Sequence, residues 1–160
     1  MDKSLLHKKI IAALEHLHQG AADAAKRAHE SATDEENEAE NKYDTLGLEA
    51  AYLAHGQSQR VAQCEADLLA FKKLPVIDFT DQLAASPGAL ITLVDEQGIE
   101  QNLFLGPVAG GLKLTFMARE LMLITVMAPL GKALCGCRAG DEVEIRVAGQ
   151  NKHYQIIDLC

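Results

Sequence analysis

The sequence predicts an α+β chain in two parts: an N-terminal antiparallel coiled-coil helical hairpin, then a C-terminal β-rich domain with one short helix. Three observations carry this. Apolar residues recur at helical spacing over two long stretches that flank an acidic run. After Pro75 the periodicity shifts to short β-rich runs separated by Gly and Pro. Strands in a row around one short helix suggest a compact α+β domain of about 80 residues. The expected division is 1–74 for the helical finger, 75–87 for a linker and 88–160 for the β-rich domain.

The first helix is read from Leu6, Ile10, Ala13, Leu14, Leu17, Ala21, Ala24, Ala25 and Ala28, a stripe that narrows from large residues to alanines. Its end is expected near Ala32. There Thr33 with Glu36 offers a capping box for a second helix starting near Asp34, with Ser31 and Asp34 as an alternative cap. The second stripe reads Ala39, Tyr43, Leu46, Ala50, Leu53, Gln57, Val61, Cys64, Leu68 and Phe71, steps of three and four that suit a seam facing one partner. Lys72, Lys73 and the following Pro75 mark its stop. Each helix would span about 45 Å at 1.5 Å per residue, and a short connection makes the two antiparallel neighbours. Tyr43 and Tyr52 are expected to pack across the hairpin, and His16 and His18 to face water.

In the second part, Ala89–Val94 reads as a strand closed by Asp95 to Gly98, and Asn102–Leu105 as the next. A break follows at Gly106, Pro107, Gly110 and Gly111. Leu121–Met127 is β-rich, Glu142–Val147 alternates strictly, and a turn at 148–151 leads to His153–Asp158. Between them Pro129 can start one helical turn through Lys132, Ala133 and Leu134.

Charge is the most uneven property of the chain. Between Glu30 and Asp44 stand Glu30, Asp34, Glu35, Glu36, Glu38, Glu40 and Asp44 with Lys42 as the only cation. Residues 1–73 hold 9 Lys+Arg against 13 Asp+Glu and residues 74–160 hold 6 against 10, so each half carries −4 and neither is a phosphate-binding module. With 4% aromatic residues and no Trp, a base-stacking surface is not expected. Cys135 and Cys137 form a CxC pair without the further ligands that structural zinc requires. The opening MDKSLLHKK lacks an apolar signal core and no run approaches the roughly 18 apolar residues of a membrane span. A cytoplasmic protein with reduced thiols and no membrane partner is therefore expected.

The C-terminal residues carry a resemblance. The strand ALITLV, the glycine step Phe104–Leu105–Gly106, the run Ala128, Pro129, Leu130, Gly131, Lys132, Ala133, Leu134, Cys135, Gly136 and the step Gly140–Asp141–Glu142–Val143 resemble the GreA/GreB transcription elongation factors over roughly residues 88–159. Ala128 stands where the family has serine and Cys137 where it has lysine. The resemblance implies that the C-terminal domain is FKBP-like and docks on RNA polymerase, with Pro129, Leu130, Gly131, Lys132, Ala133 and Leu134 as binding residues. It implies that the finger enters the polymerase secondary channel. Its tip acids, here Asp34, Glu35 and Glu36 with Asn37 beside them, would then assist cleavage of backtracked RNA, with Asp34 and Glu36 sharing Mg²⁺ with the polymerase. Carboxylates suit that role because Mg²⁺ is a hard cation that takes oxygen ligands. The factor would bind no cofactor alone, would not itself be an enzyme, would touch nascent RNA only indirectly, and would not bind DNA sequence-specifically.

The tip departs from the family pattern Asp-x-x-Glu-Asn. Aligning Glu36–Asn37 on Glu-Asn puts Thr33 at the aspartate, whereas keeping Asp34 as the aspartate puts Asn37 at the glutamate. A cleavage-stimulating factor and a non-cleaving channel regulator both follow from the resemblance. A proline isomerase or chaperone is a different class of reading, and needs an aromatic-lined pocket, for which the C-terminal part supplies Phe79, Phe104, Phe116 and Tyr154. The plain alternative for the acids is a solvated hairpin end whose carboxylates favour a helix N-terminus.

Overall fold

The computed structural model describes residues 2–33, 45–79 and 83–160. Helix α1 (Lys3–Thr33) begins at an aspartate cap: the Asp2 carboxylate accepts from the Leu5 N–H at 3.0 Å, which satisfies one of the orphan donors of the first turn. Helix α2 (Leu46–Lys73) begins after Thr45, whose carbonyl accepts from Glu49 N–H at 2.9 Å and whose hydroxyl meets Glu49 Oε1 at 3.1 Å. Of the capping box expected at Thr33, the Glu36 half and the helix start near Asp34 lie outside the described residues. Thr33 is the last residue of α1, and its hydroxyl donates back to the His29 carbonyl at 3.0 Å, the back-bonding habit of threonine within a helix.

The two helices form the expected hairpin, with a different seam. On α1, Leu14, Ala21 and Ala28 are buried, with His18 and Ala25 half-buried; on α2, Cys64 and Phe71 are buried and Gly47, Ala50, Ala54, Gln57, Val61 and Leu68 half-buried. The α2 set steps by three and four without interruption, the spacing of a coiled-coil seam. It takes Gly47 and Ala54 in place of their neighbours Leu46 and Leu53, which are 61% and 56% exposed. Tyr52, expected inside, is 70% exposed, Leu17 is also exposed, and His18 rather than Leu17 continues the covered face of α1. Leu46 and Leu53 thus fall outside the covered line, on which Gly47 and Ala54 stand.

Two compact units result: Ile11–Leu69, the body of the hairpin, and the chain up to Ile10 together with Ala70–Cys160. The second unit is built on one six-stranded sheet of β1 (Leu90–Asp95), β2 (Glu100–Gly106), β3 (Lys113–Phe116), β4 (Arg119–Thr125), β5 (Glu142–Val147) and β6 (Gln150–Leu159), in the order β3-β4-β2-β1-β6-β5. Neighbours are antiparallel except β2 and β4, which run parallel. Helix α3 (Pro129–Leu134) lies between β4 and β5 in sequence.

Strand alternation sorts this sheet into two apolar faces. Ile91, Leu93, Leu103, Leu105, Ile156 and Val143 form one core with Leu134 of α3. On the other pleat Leu90, Phe104, Leu121 and Leu123 are buried, and Phe104 meets Phe71 of α2 with ring centroids 6.2 Å apart. Each fully buried Leu or Ile contributes about 1.5–3 kcal/mol of transfer free energy.

Strand β3, unforeseen in the sequence, pairs with β4 through the two-residue turn Met117–Ala118, whose φ values are 49° and 62°. The β5–β6 hairpin turns at Ala148–Gly149 with φ values of 52° and 82°. Both turns have the left-handed pair of residues that matches strand twist.

Candidate functional site

The segment from Thr125 to Asp141 is fixed by its own backbone. Ala128 N–H donates to the Thr125 carbonyl at 3.1 Å, and Pro129 takes the first helical position, where no donor is needed. Lys132 N–H then reaches the Ala128 carbonyl at 2.8 Å and Cys135 N–H the Gly131 carbonyl at 3.1 Å. Gly131 crosses directly over the Thr125 carbonyl, where any Cβ would collide with backbone oxygen. Leu134 is fully buried in the core.

Beyond the helix, Ala85 N–H donates to the Cys137 carbonyl at 2.7 Å and Gly136 N–H to the Ala85 carbonyl at 2.8 Å, so the segment before β1 is stitched to the loop. The Asp141 carboxylate accepts from Arg138 N–H at 2.7 Å and closes the last turn. Of the six residues expected to bind, Pro129 and Lys132 are exposed, Leu130 and Ala133 half-buried, and Gly131 and Leu134 buried. The loop thus presents Pro129, Lys132, Cys135 and Arg138 on a scaffold held from below. Its two cations are set in a chain of net charge −8.

Of the two cysteines of this loop, Cys135 is exposed and Cys137 packs against the core. Cys137 Sγ donates to the Ala133 carbonyl at 3.1 Å, and burial pushes its thiol pKa up, with Asp141 and Cys135 adding to the shift. All four cysteines are free thiols, and among the described residues no group of three His, Cys, Asp or Glu is placed to hold a metal.

A feature missed in the sequence lies at the start of α1. Lys3 is 5% exposed; its Nζ donates to the Ile77 carbonyl at 2.7 Å and sits 4.2 Å above the Phe79 ring. Burial is the main cause that lowers its pKa to about 8, partly opposed by Cys160 and Asp78. One turn on, His7 Nε2 lies 3.0 Å from the Phe71 carbonyl at the end of α2. The signal was present in the spacing: Lys3, His7, Ile10 and Leu14 share one helical face, so the lysine stem was due to be buried.

The acids expected at the tip, Asp34, Glu35 and Glu36, and Asn37 beside them, lie outside the described residues, as does Tyr43. What brackets them is described. Glu30 is exposed and stands 4.0 Å from Lys26, Thr33 is committed to α1, and Thr45 caps α2. As a donor set, carboxylates fit a hard divalent cation.

A groove of about 470 Å³ opens on the sheet beside β2 and β4, lined by Glu100, Gln101, Asn102, Lys113, Arg119 and Glu120 with Leu103, Leu121 and Met122. It contains no aromatic side chain. Phe79, Phe104 and Phe116 are buried and Tyr154 packs against the core, so the aromatics an isomerase pocket would use are spent on packing. Among the described residues no helix is long and apolar enough to cross a membrane.

The family-model match falls on the β-rich domain. Residues 84–159 match the family model described as transcription elongation factor, GreA/GreB, C-terminal domain. The chain is 32% identical over 69 residues to transcription elongation factor GreA of Rhodospirillum rubrum, covering 43% of this chain and 41% of that protein. It is 34% identical over 74 residues to GreA of Paracoccus denitrificans, covering 45% and 43%. With GreA of Magnetococcus marinus the match extends to 105 residues at 28% identity, 62% of this chain and 60% of that one. The chain thus spans less than two thirds of the length of these relatives, from 41% to 60%. Among solved structures, GreA factor homolog 1 of Thermus thermophilus aligns over 96% of this chain and 92% of its own at 19% identity, with a TM-score of 0.40.

Proposed function

We infer, from the match of residues 84–159 to the GreA/GreB C-terminal family model, that this divergent Gre-like chain is an accessory factor of RNA polymerase and not itself an enzyme. The observation that carries this reading is the match over residues 84–159, which includes the hydrogen-bonded loop that presents Pro129 and Lys132. That loop and its surroundings dock on the polymerase. The hairpin, with the acidic stretch between Thr33 and Thr45, enters the secondary channel.

In the cleaving form of the proposal, Asp34, Glu35 and Glu36 bring carboxylate oxygens to the polymerase active site. A divalent ion held there supplies charge stabilisation to attacking and leaving oxygens. The residues of this chain add ligands and orient water, and a polymerase stalled on backtracked RNA resumes after the 3′ end is removed.

A second form, the non-cleaving channel regulator, is favoured by a specific observation. Thr33, which takes the aspartate position when Glu36–Asn37 are aligned on the family's Glu-Asn, has no carboxylate and spends its hydroxyl on the His29 carbonyl. One assay separates the two. Backtracked elongation complexes of bacterial RNA polymerase, mixed with the chain and Mg²⁺, release short 3′ RNA fragments in the cleaving form, and Asp34→Ala or Glu36→Ala abolishes the release. Binding to the polymerase with no fragment released leaves the regulator.

A further inference from the structure

The sheet ends on two outer strands of unequal character. Strand β3 has four residues, too short to recruit a partner strand. Strand β5, Glu142–Val147, runs six residues, and only one side of it is paired, to β6. In a two-residue hairpin the closing residues, here Val147 and Gln150, form the hydrogen-bonded pair. Alternation then turns the N–H and C=O groups of Val143, Ile145 and Val147 toward β6. Those of Glu142, Glu144 and Arg146 turn outward, where no strand meets them.

The side chains select what this edge can accept. A row of like charges on an edge strand repels further strands. Here the outward-bonding residues are Glu142, Glu144 and Arg146, which differ in sign, so the strand is a candidate partner for itself. In an antiparallel two-fold arrangement a residue must face its dyad mate, and outward-bonding residues must face outward-bonding residues. A dyad on Glu144 opposes Glu142 to Arg146 twice but sets Glu144 against itself at the axis, one on Arg146 sets arginine against arginine, and one on Val143 sets Glu142 against Glu144. A dyad on Ile145 alone opposes Glu144 to Arg146, twice. It also pairs Val143 with Val147, twice, and Ile145 with itself, all on the apolar side of the strand.

We propose that β5 is a self-association edge, on which a second copy of this chain adds antiparallel about a two-fold axis at Ile145 and joins the two sheets into one. Glu144 and the second copy's Arg146 form a bonded pair that exchanges both main-chain hydrogen bonds, and the symmetric pair repeats it. Within one copy the Glu144 carboxylate lies 3.7 Å from the His153 imidazole on β6, which also lies 3.8 Å from Glu96. The Arg146 guanidinium, on the same face, faces Asn151 across the ladder. One strand pair buries little area, so the association is weak and concentration-dependent.

Sedimentation equilibrium of the full chain over a concentration series tests this. The wild type shows a monomer–dimer equilibrium. Glu144→Arg alone and Arg146→Glu alone each weaken it by on the order of tenfold, because two cross-strand attractions become repulsions. An equimolar mixture of the two variants dimerises again, since each charge at 144 then meets its opposite at 146; this also shows that both variants fold. A wild type that stays monomeric throughout, a dimer indifferent to both substitutions, or a mixture that does not recover would each overturn the proposal.

Discussion

The hairpin and the β-rich domain bury their residues by opposite rules. In the hairpin the covered line of α2 is Gly47, Ala50, Ala54, Gln57 and Val61, while the larger Leu46, Leu48, Tyr52 and Leu53 stay in water. In the sheet domain the largest aliphatic residues, Ile91, Leu93, Leu103, Leu105, Leu134 and Ile156, are fully buried. Burial free energy scales with apolar area, so cooperative stability is concentrated in the sheet domain, and the hairpin depends more on helix propensity. One part is a rigid scaffold for a loop, and the other is a pair of rods whose seam is economical in side-chain volume.

The contrast breaks most visibly at tightly packed positions of the sheet domain. Leu105→Ala is expected to cost about 2–5 kcal/mol in urea unfolding, through lost transfer and a residual cavity. Gly131→Ala should cost about 3 kcal/mol or more, because the new Cβ meets the Thr125 carbonyl and either the helix start or the end of β4 must move. If either change is silent, the core assignment of that residue is wrong.

A smaller effect is pH-dependent. Lys3 has a pKa lowered to about 8 in the folded chain against an ordinary 10.5, so between those values the unfolded chain binds more protons and stability rises with pH. The rise is at most about 1 kcal/mol per pH unit and vanishes in Lys3→Met, measured as the difference between the two proteins at pH 7.5 and 10. Parallel curves for both proteins would show that Lys3 is solvated.

Smaller still are changes in the hairpin. Nothing lies within 4 Å of a Cβ built at Gly20 or Gly56, so Gly20→Ala and Gly56→Ala should each stabilise the chain by about 0.5–1 kcal/mol in thermal unfolding. Leu53→Ala, chemically the same change as Leu105→Ala, should stay within about 0.5 kcal/mol. A large loss there would place Leu53 on the seam after all.

Much of the architecture was legible because local signals and global fold agree. Strand β5 alternates strictly, α3 starts at a proline, and the helix stop at Lys72–Lys73 is followed by Pro75. Strand β3 was not legible, because its turn is made by Met117–Ala118 in left-handed conformation without glycine or asparagine. The seam of α2 was misread by one residue at Leu46 and Leu53. Hydropathy favours leucine on a buried line, and only packing decides between two stripes with the same step. Of the candidate site, the loop from Ala128 to Leu134 was readable as a motif. That Gly131 and Leu134 hold the loop while Pro129 and Lys132 face outward came only from burial. Lys3 was overlooked because a charged residue in a first helical turn reads as solvent-facing until its stem falls on the apolar stripe.

The central claim, an accessory factor docked on RNA polymerase through the loop of its β-rich domain, is tested most directly by equilibrium binding of the full chain to bacterial core RNA polymerase, side by side with Lys132→Glu. The account predicts saturable binding, weakened several-fold by the charge reversal at an exposed docking cation with no change in the chain's own unfolding. Absence of binding by the wild-type chain at any concentration would contradict it.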